Sequence, residues 1–166
     1  MTEVKISLVK ALPQSDFKPK VHKDILPTLG RPCDEVDNYS SFYDELLSSF
    51  KEDCENEELD QKSQDKKVTD FIACLNEVII SEGTIYMTIG YPVTIEPIFK
   101  YTVYKPVSFG FLLYLYTVAY QKMYEMEEIC EQFGIWGHDI EDLVYNGNST
   151  VEVYKDYIVA SFSCDS

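Results

Sequence analysis

Sixteen consecutive residues, Pro106 to Gln121, pass without a charge before the chain turns acidic through Glu125, Glu127, Glu128 and Glu131. Across this stretch Phe109, Leu112, Tyr116, Ala119, Met123, Met126, Cys130 and Phe133 recur at alternating steps of three and four, which places them on one stripe of a helix. In the first half the other faces are apolar too, through Phe111, Leu113, Leu115 and Val118. A helix that is hydrophobic all round has to be enclosed by other elements or by lipid. A membrane span takes roughly 20 predominantly apolar residues. This run is shorter, contains Gly110 and the hydroxyls of Tyr114, Tyr116 and Tyr120, and is bounded by Lys105 and Lys122. The pattern predicts a central core helix at about 108–133, not a membrane span.

The rest of the chain must supply what encloses that helix. With 166 residues and 45% hydrophobic content it is long enough for one ordinary domain with a sizeable core. Its formal net charge is −15, and the excess of acids is spread over both halves: 15 acids against 9 bases in residues 1–66, and 14 against 5 in residues 67–166. Direct nucleic-acid binding needs clustered Lys and Arg to displace counterions from phosphates, and Arg31 is the only arginine. The same balance disfavours an anionic membrane surface and steers a basic partner towards the protein. Five cysteines (Cys33, Cys54, Cys74, Cys130 and Cys164) include no C-x-x-C pair, and Met1 to Lys10 lacks a continuous apolar segment of the secretory kind. These features predict a reducing compartment, cytoplasmic or nuclear. Asn38-Tyr39-Ser40 and Asn148-Ser149-Thr150 match the glycosylation sequon but read as chance matches in turn-rich segments.

Along the chain, residues 1–38 read as an extended segment carrying Pro13, Pro19, Pro27 and Pro32, with a short strand where Val4, Ile6 and Leu8 alternate with polar neighbours. A helix is expected over 39–51, opened by Ser41 with Asp44 three residues on, and with Phe42, Leu46 and Phe50 on one face. Seven acids between Glu52 and Asp65 predict an acidic mobile loop over 52–66. Residues 67–166 form the expected α+β core. Val68, Ile72, Leu75 and Ile79 keep helical steps, yet Val78-Ile79-Ile80 is β-branched, so 77–82 reads either as the helix end or as a strand turning at Gly83 into a hairpin with 84–89. A strand over Ile98–Tyr104 ends at Pro106, where Ser108 caps the long helix; Val151–Tyr154 and Tyr157–Phe162 form a terminal hairpin. The fold class is α+β: a single domain with an antiparallel sheet of about four to five strands packed on the long buried helix, with one or two further helices.

Site chemistry is sparse. His138 and Asp142 lie four apart with Glu141 between, so on a helix an imidazole and a carboxylate share a face and make a weak metal or acid–base candidate. The simpler reading has Asp139 capping a short helix, with Ile140, Leu143 and Val144 inward and Asn146-Gly147 as its stop. Cys33 is followed by Asp34 and Glu35, whose charges oppose thiolate formation. No glycine-rich phosphate loop occurs and no cofactor is implied. Tyr114, Thr117, Gln121 and Tyr124 form a polar-aromatic line opposite the main stripe, with Trp136 beyond the helix end. These features point to a non-catalytic acidic interaction module, an inhibitor or nucleic-acid mimic that occupies a basic partner's surface. The expected contact residues are Tyr114, Tyr124, Trp136, Glu125, Glu128, Glu131, Asp53, Glu55, Glu57 and Glu58. The alternatives are a structural subunit that binds a second copy of itself through an aromatic surface, and a metal-dependent enzyme using His138 and Asp142.

Overall fold

The computed structural model describes residues 5–16, 18–23, 38–130, 132–137 and 139–165. In chain order they form strands β1 (Ser7–Val9) and β2 (Lys20–Lys23), helices α1 (Tyr39–Asn56) and α2 (Gln61–Asn76), strands β3 (Val78–Ile80), β4 (Gly83–Thr88), β5 (Ile98–Val103) and β6 (Val107–Ser108), and helix α3 (Phe109–Cys130). A short 3-10 turn (Ile140–Asp142) then leads into strands β7 (Val144–Val153) and β8 (Tyr157–Asp165).

Six strands make one sheet in the order β1-β5-β4-β8-β7-β2. The hairpins β4/β5 and β7/β8 are antiparallel, the second as expected and the first in place of a pairing of 84–89 with 77–82, but they meet through a parallel pair in which Tyr86 lies opposite Val159 and Met87 opposite Ala160. Parallel neighbours need a long crossover connection, and α3 lies in the connection between the two hairpins. The sheet is therefore mixed and wider than expected. One row of paired residues, Leu8, Phe99, Met87, Ala160 and Val151, crosses it on the inner face. Period-2 alternation puts Ile85, Met87, Phe99, Ile158, Ala160, Phe162 and Val151 in the core.

On that face lies α3, with Phe109 and Tyr116 packed on Phe162 at ring distances of 5.8 and 4.8 Å and the Tyr116 hydroxyl donating to the Thr88 carbonyl. Ser108 accepts from the Phe111 amide at 3.2 Å, the N-terminal cap expected of it. Helices α1 and α2 pack on another side of α3, with Tyr39 against Phe111 at 5.1 Å and Phe42 against Tyr114 at 5.6 Å, and Leu113, Leu115 and Tyr120 are buried along with the main stripe. Gly110 marks the closest approach: a Cβ there would stand 2.7 Å from the Tyr39 hydroxyl and 3.1 Å from the Leu75 carbonyl oxygen of α2. Among the described residues no helix is long and apolar enough to cross a membrane.

The acidic stretch 52–66 is mostly helical. Cys54 falls four residues after Phe50 and continues the stripe Phe42, Leu46, Phe50, so α1 runs to Asn56 with Cys54 buried at its end. Asp60 starts α2 by accepting from the Ser63 amide at 2.7 Å, and the two helices are clasped by Lys67 on Glu57 at 2.6 Å and by Phe71 stacked on Phe50 at 4.1 Å. Glu, Gln and Lys are good helix formers, and density of charge does not cancel that once caps and one apolar face are present. The cap of α1 is Asn38 in place of Ser41: its side-chain oxygen accepts from the Ser41 amide at 2.9 Å. This gives the Asn38 sequon a structural job.

Three other expectations change. Residues 78–80 are a strand, but it pairs with β6 in a separate two-stranded ribbon and not with β4, because the Phe109 amide bonds the Glu77 carbonyl and draws the start of α3 alongside. Gly83 opens β4 at φ +131°, with its Cα facing the Asp156 carbonyl so closely that a Cβ would stand 2.4 Å from that oxygen. The helix expected after Asp139 is only the 3-10 turn, and Asn146-Gly147 lies within β7 at a register shift between Tyr145 and Ser149. Of the N-terminal segment, β1 covers Ser7–Val9 at one sheet edge and β2 the other; Val4 and residues 24–37 are outside the described set.

Candidate functional site

The proposed contact residues fall into three places. Tyr114 is inside the molecule, 6% exposed, with its ring 5.6 Å from Phe42 and 5.8 Å from Tyr39. Thr117 is fully buried, donating to the Leu113 carbonyl at 3.1 Å and sharing a 3.0 Å hydrogen bond with the Tyr145 hydroxyl. The line that was to form an aromatic surface is therefore core on its first two members, Tyr114 against α1 and Thr117 against Tyr145 of β7. Burial pushes the Tyr39 and Tyr114 phenols and the Cys54 and Cys74 thiols upward in pKa, so neither thiol is activated as a nucleophile. Cys54, Cys74 and Cys164 carry thiols and form no disulfide.

The second place is the outer face of α1. The buried residues Phe42, Leu46 and Cys54 set its inner side, and Asp44, Glu45, Glu52 and Glu55 lie on the face turned away, all exposed. Between Tyr39 and Asn76 the sequence holds ten acids against four bases. The described residues contain two ion pairs, Lys66–Asp70 at 2.8 Å and Lys67–Glu57 at 2.6 Å, and neither involves the outer face of α1. Asp53, seven residues after Leu46 and so off the outer face, and Glu58, beyond the helix end, are exposed, whereas Glu57 is engaged by Lys67. Glu52 falls beyond the helix expected over 39–51, and Asp44 is there paired with Ser41 as a cap, so the pattern does not bring Asp44, Glu45 and Glu52 together. The signal was the apolar step from Phe50 to Cys54.

The third place is where α3 ends. A cleft of about 740 Å³ is lined by Tyr124, Glu127, Glu128, Ile135, Asp139 and Asp142. Glu127 is structural: its two carboxylate oxygens accept from the Phe133 amide at 2.7 Å and the Ile135 amide at 3.1 Å. An acid in the last turn opposes the helix dipole, and these two charge-assisted bonds offset that cost. Asp142 folds back, its Oδ2 accepting from the Asp139 amide at 3.4 Å. Glu125 and Glu128 are exposed on the same end of α3. His138 and Glu131 lie outside the described residues, and of the proposed metal cluster only Asp142 is placed in the cleft. Among the described residues no group of three or more His, Cys, Asp or Glu is arranged to hold a metal ion.

Beside the cleft two loops are tied together. Thr94 and Ile95 donate their amides to the Phe133 carbonyl at 3.0 and 2.9 Å, and the Trp136 amide donates to the Pro92 carbonyl at 3.0 Å. Trp136 is 50% exposed with its ring at right angles to Tyr91, 5.3 Å away, and Ile95 is 61% exposed on the facing loop. Comparison with protein-family models, with curated proteins and with solved structures finds no match to this chain.

Proposed function

We propose that this chain is a non-catalytic, acidic protein-binding module that engages the basic surface of another protein through the outer face of α1. The carrying observation is the set Asp44, Glu45, Glu52 and Glu55, exposed on one helix face and outside both ion pairs. Among them Glu52 and Glu55 are three apart, a like-charge pair that costs about 0.2–0.5 kcal/mol on a helix, and a basic partner reverses the sign of that term; the one base on this side, Lys51, lies four before Glu55. From Asp44 to Glu55 the row covers roughly 16 Å at helical rise. A row of anions on a stiff scaffold is what a phosphate backbone offers to a cationic groove, which supports the narrower reading of an inhibitor that competes with nucleic acid for its partner. The buried thiols fit a reducing compartment, cytoplasmic or nuclear.

Calorimetric titration with deca-arginine and deca-glutamate peptides tests the reading. Binding of the first, its dissociation constant rising steeply between low and high salt, is the expected result, since exposed charges are screened over about 8–10 Å at physiological ionic strength. Absence of heat at low salt, or equal binding of both peptides, sinks it.

A further inference from the structure

We infer that Ser41, in the first turn of α1, is the acceptor of an acid-directed serine/threonine protein kinase, and that its phosphate lengthens and strengthens the anionic row on the outer face of that helix. This rests on the basic-partner reading and adds to it the means by which binding is regulated. The sequence around Ser41 carries one sign of charge: between Arg31 and Lys51 there are five acids, Asp34, Glu35, Asp37, Asp44 and Glu45, and no base. Asp44 and Glu45 follow Ser41 at three and four positions, so helical spacing sets both about 5–6 Å from it, Cβ to Cβ. Kinases select acceptors by the charges that flank them, and a groove that takes this segment has to be basic. Ser41 is exposed; its amide accepts capping by donating to the Asn38 side chain at 2.9 Å, and its hydroxyl has no partner among the described residues.

Its place on the helix decides what the phosphate does. Ser41, Ser48, Glu52 and Glu55 follow one another at steps of seven, four and three, all exposed, so both serines lie on the face that carries the acids. From Ser41 to Glu55 the row covers roughly 21 Å, about one turn more than from Asp44. In the transfer the Ser41 oxygen attacks the terminal phosphorus of a nucleoside triphosphate held by the kinase, the bond to the bridging oxygen breaks, the diphosphate leaves, and the hydroxyl proton passes to the kinase's catalytic carboxylate. The side chain gains a charge of about −1.5 to −2 and three acceptor oxygens. In the first turn of a helix that charge meets the positive end of the dipole and amides without an intrahelical acceptor, so the phosphate does not unravel α1. Ser48 is the poorer acceptor: a kinase needs an unwound segment, helix ends open at lower cost than centres, and a phosphate there would stand among Asp44, Glu45 and Glu52 without that compensation.

Incubation of the full chain with a purified acid-directed kinase and ATP tests the acceptor, and deca-arginine tests its effect. Peptide mapping by mass spectrometry should find one phosphate, on Ser41; Ser48→Ala should accept it as the native protein does, and Ser41→Ala should not. Circular dichroism confirms that both variants fold, and mapping of the native protein carries the test if one does not. The phosphorylated protein should keep its helicity and bind deca-arginine, read by calorimetry at low salt, roughly twofold to tenfold more tightly than the unmodified protein. If Ser41 stays unmodified while an acidic serine peptide in the same reaction is phosphorylated, the inference is refuted and the α1 reading stands. The same follows if Ser41 is phosphorylated but deca-arginine binds both forms equally. If deca-arginine binds neither form, the basic-partner reading falls and takes this regulation with it.

Discussion

Helices α1 and α3 use comparable lengths of chain, 18 and 22 residues, in opposite ways. Over its first half α3 leaves only Phe111 and Val118 partly exposed: Phe109, Leu112, Leu113, Leu115 and Tyr116 are all fully buried. α1 buries Phe42, Leu46 and Cys54 and turns carboxylates outward. Surrounding contacts specify the first helix, whereas caps and a single stripe specify the second, leaving its outer face available to evolve for something other than stability. A substitution in α3 should therefore act on folding, and one on the outer face of α1 on binding.

The largest effect is expected at the centre of α3. Leu112→Ala should lower unfolding free energy by about 2–5 kcal/mol in urea or guanidinium titration. A loss below that of a cap removal would mean that α3 is not enclosed as described. Gly110→Ala tests the contrast more sharply, because Gly110 is the second residue of α3, where alanine gains only part of its interior preference of about 1 kcal/mol. The approach of Tyr39 and the Leu75 carbonyl opposes that gain, and overpacking, typically about 1–3 kcal/mol, should outweigh it and lower the melting temperature. A raised melting temperature would show that α1 and α2 can move away freely.

Smaller effects belong to the caps of the acidic helices. Asn38→Ala should cost about 1 kcal/mol, measured by the same denaturant titration, through loss of the bond to the Ser41 amide. Asp60 gives the smallest and the only pH-dependent one. Its carboxyl is held below the ordinary carboxylate range by the hydrogen bond from the Ser63 amide. A depressed folded-state pKa stabilises above the unfolded value and loses that contribution as pH falls through the folded one. Asp60→Asn, which keeps an acceptor but does not titrate, should therefore flatten the acid limb of the stability curve; an unchanged limb would show that the cap does not couple to folding.

How far these features were legible follows from how local their causes are. The α3 stripe, the 98–103 strand and the terminal hairpin show themselves in runs of adjacent residues and lie near their expected places, though α3 ends at Cys130, before Phe133, and β7 begins at Val144 instead of Val151. The parallel pairing of β4 with β8 joins residues more than seventy positions apart, and no neighbouring pattern encodes it. The same holds for the β3/β6 ribbon, which depends on the docking of α3. Residues 52–66 were misread for a different reason: acidity outweighed the Asp60 cap and the Phe50-to-Cys54 step, both visible in the chain. Tyr114 was taken for surface because its line looked polar, a judgement that needed the position of Phe42 to correct. Trp136 lies beyond the helix end and is half-exposed, and its backing by Tyr91 and the 91–95 loop depends on bonds spanning forty residues.

One variant tests the division between the two helices most directly: Asp44→Asn, Glu45→Gln, Glu52→Gln and Glu55→Gln made together, with thermal stability and deca-arginine affinity measured on the same preparation. Removing four outward charges that take part in neither ion pair should leave the melting temperature equal or higher, since surface changes of this kind are usually within about 0.5 kcal/mol each. Affinity for the basic peptide should fall severalfold and lose most of its salt dependence. A variant that unfolds, or one that binds as the native protein does, would contradict the assignment of that face to a partner.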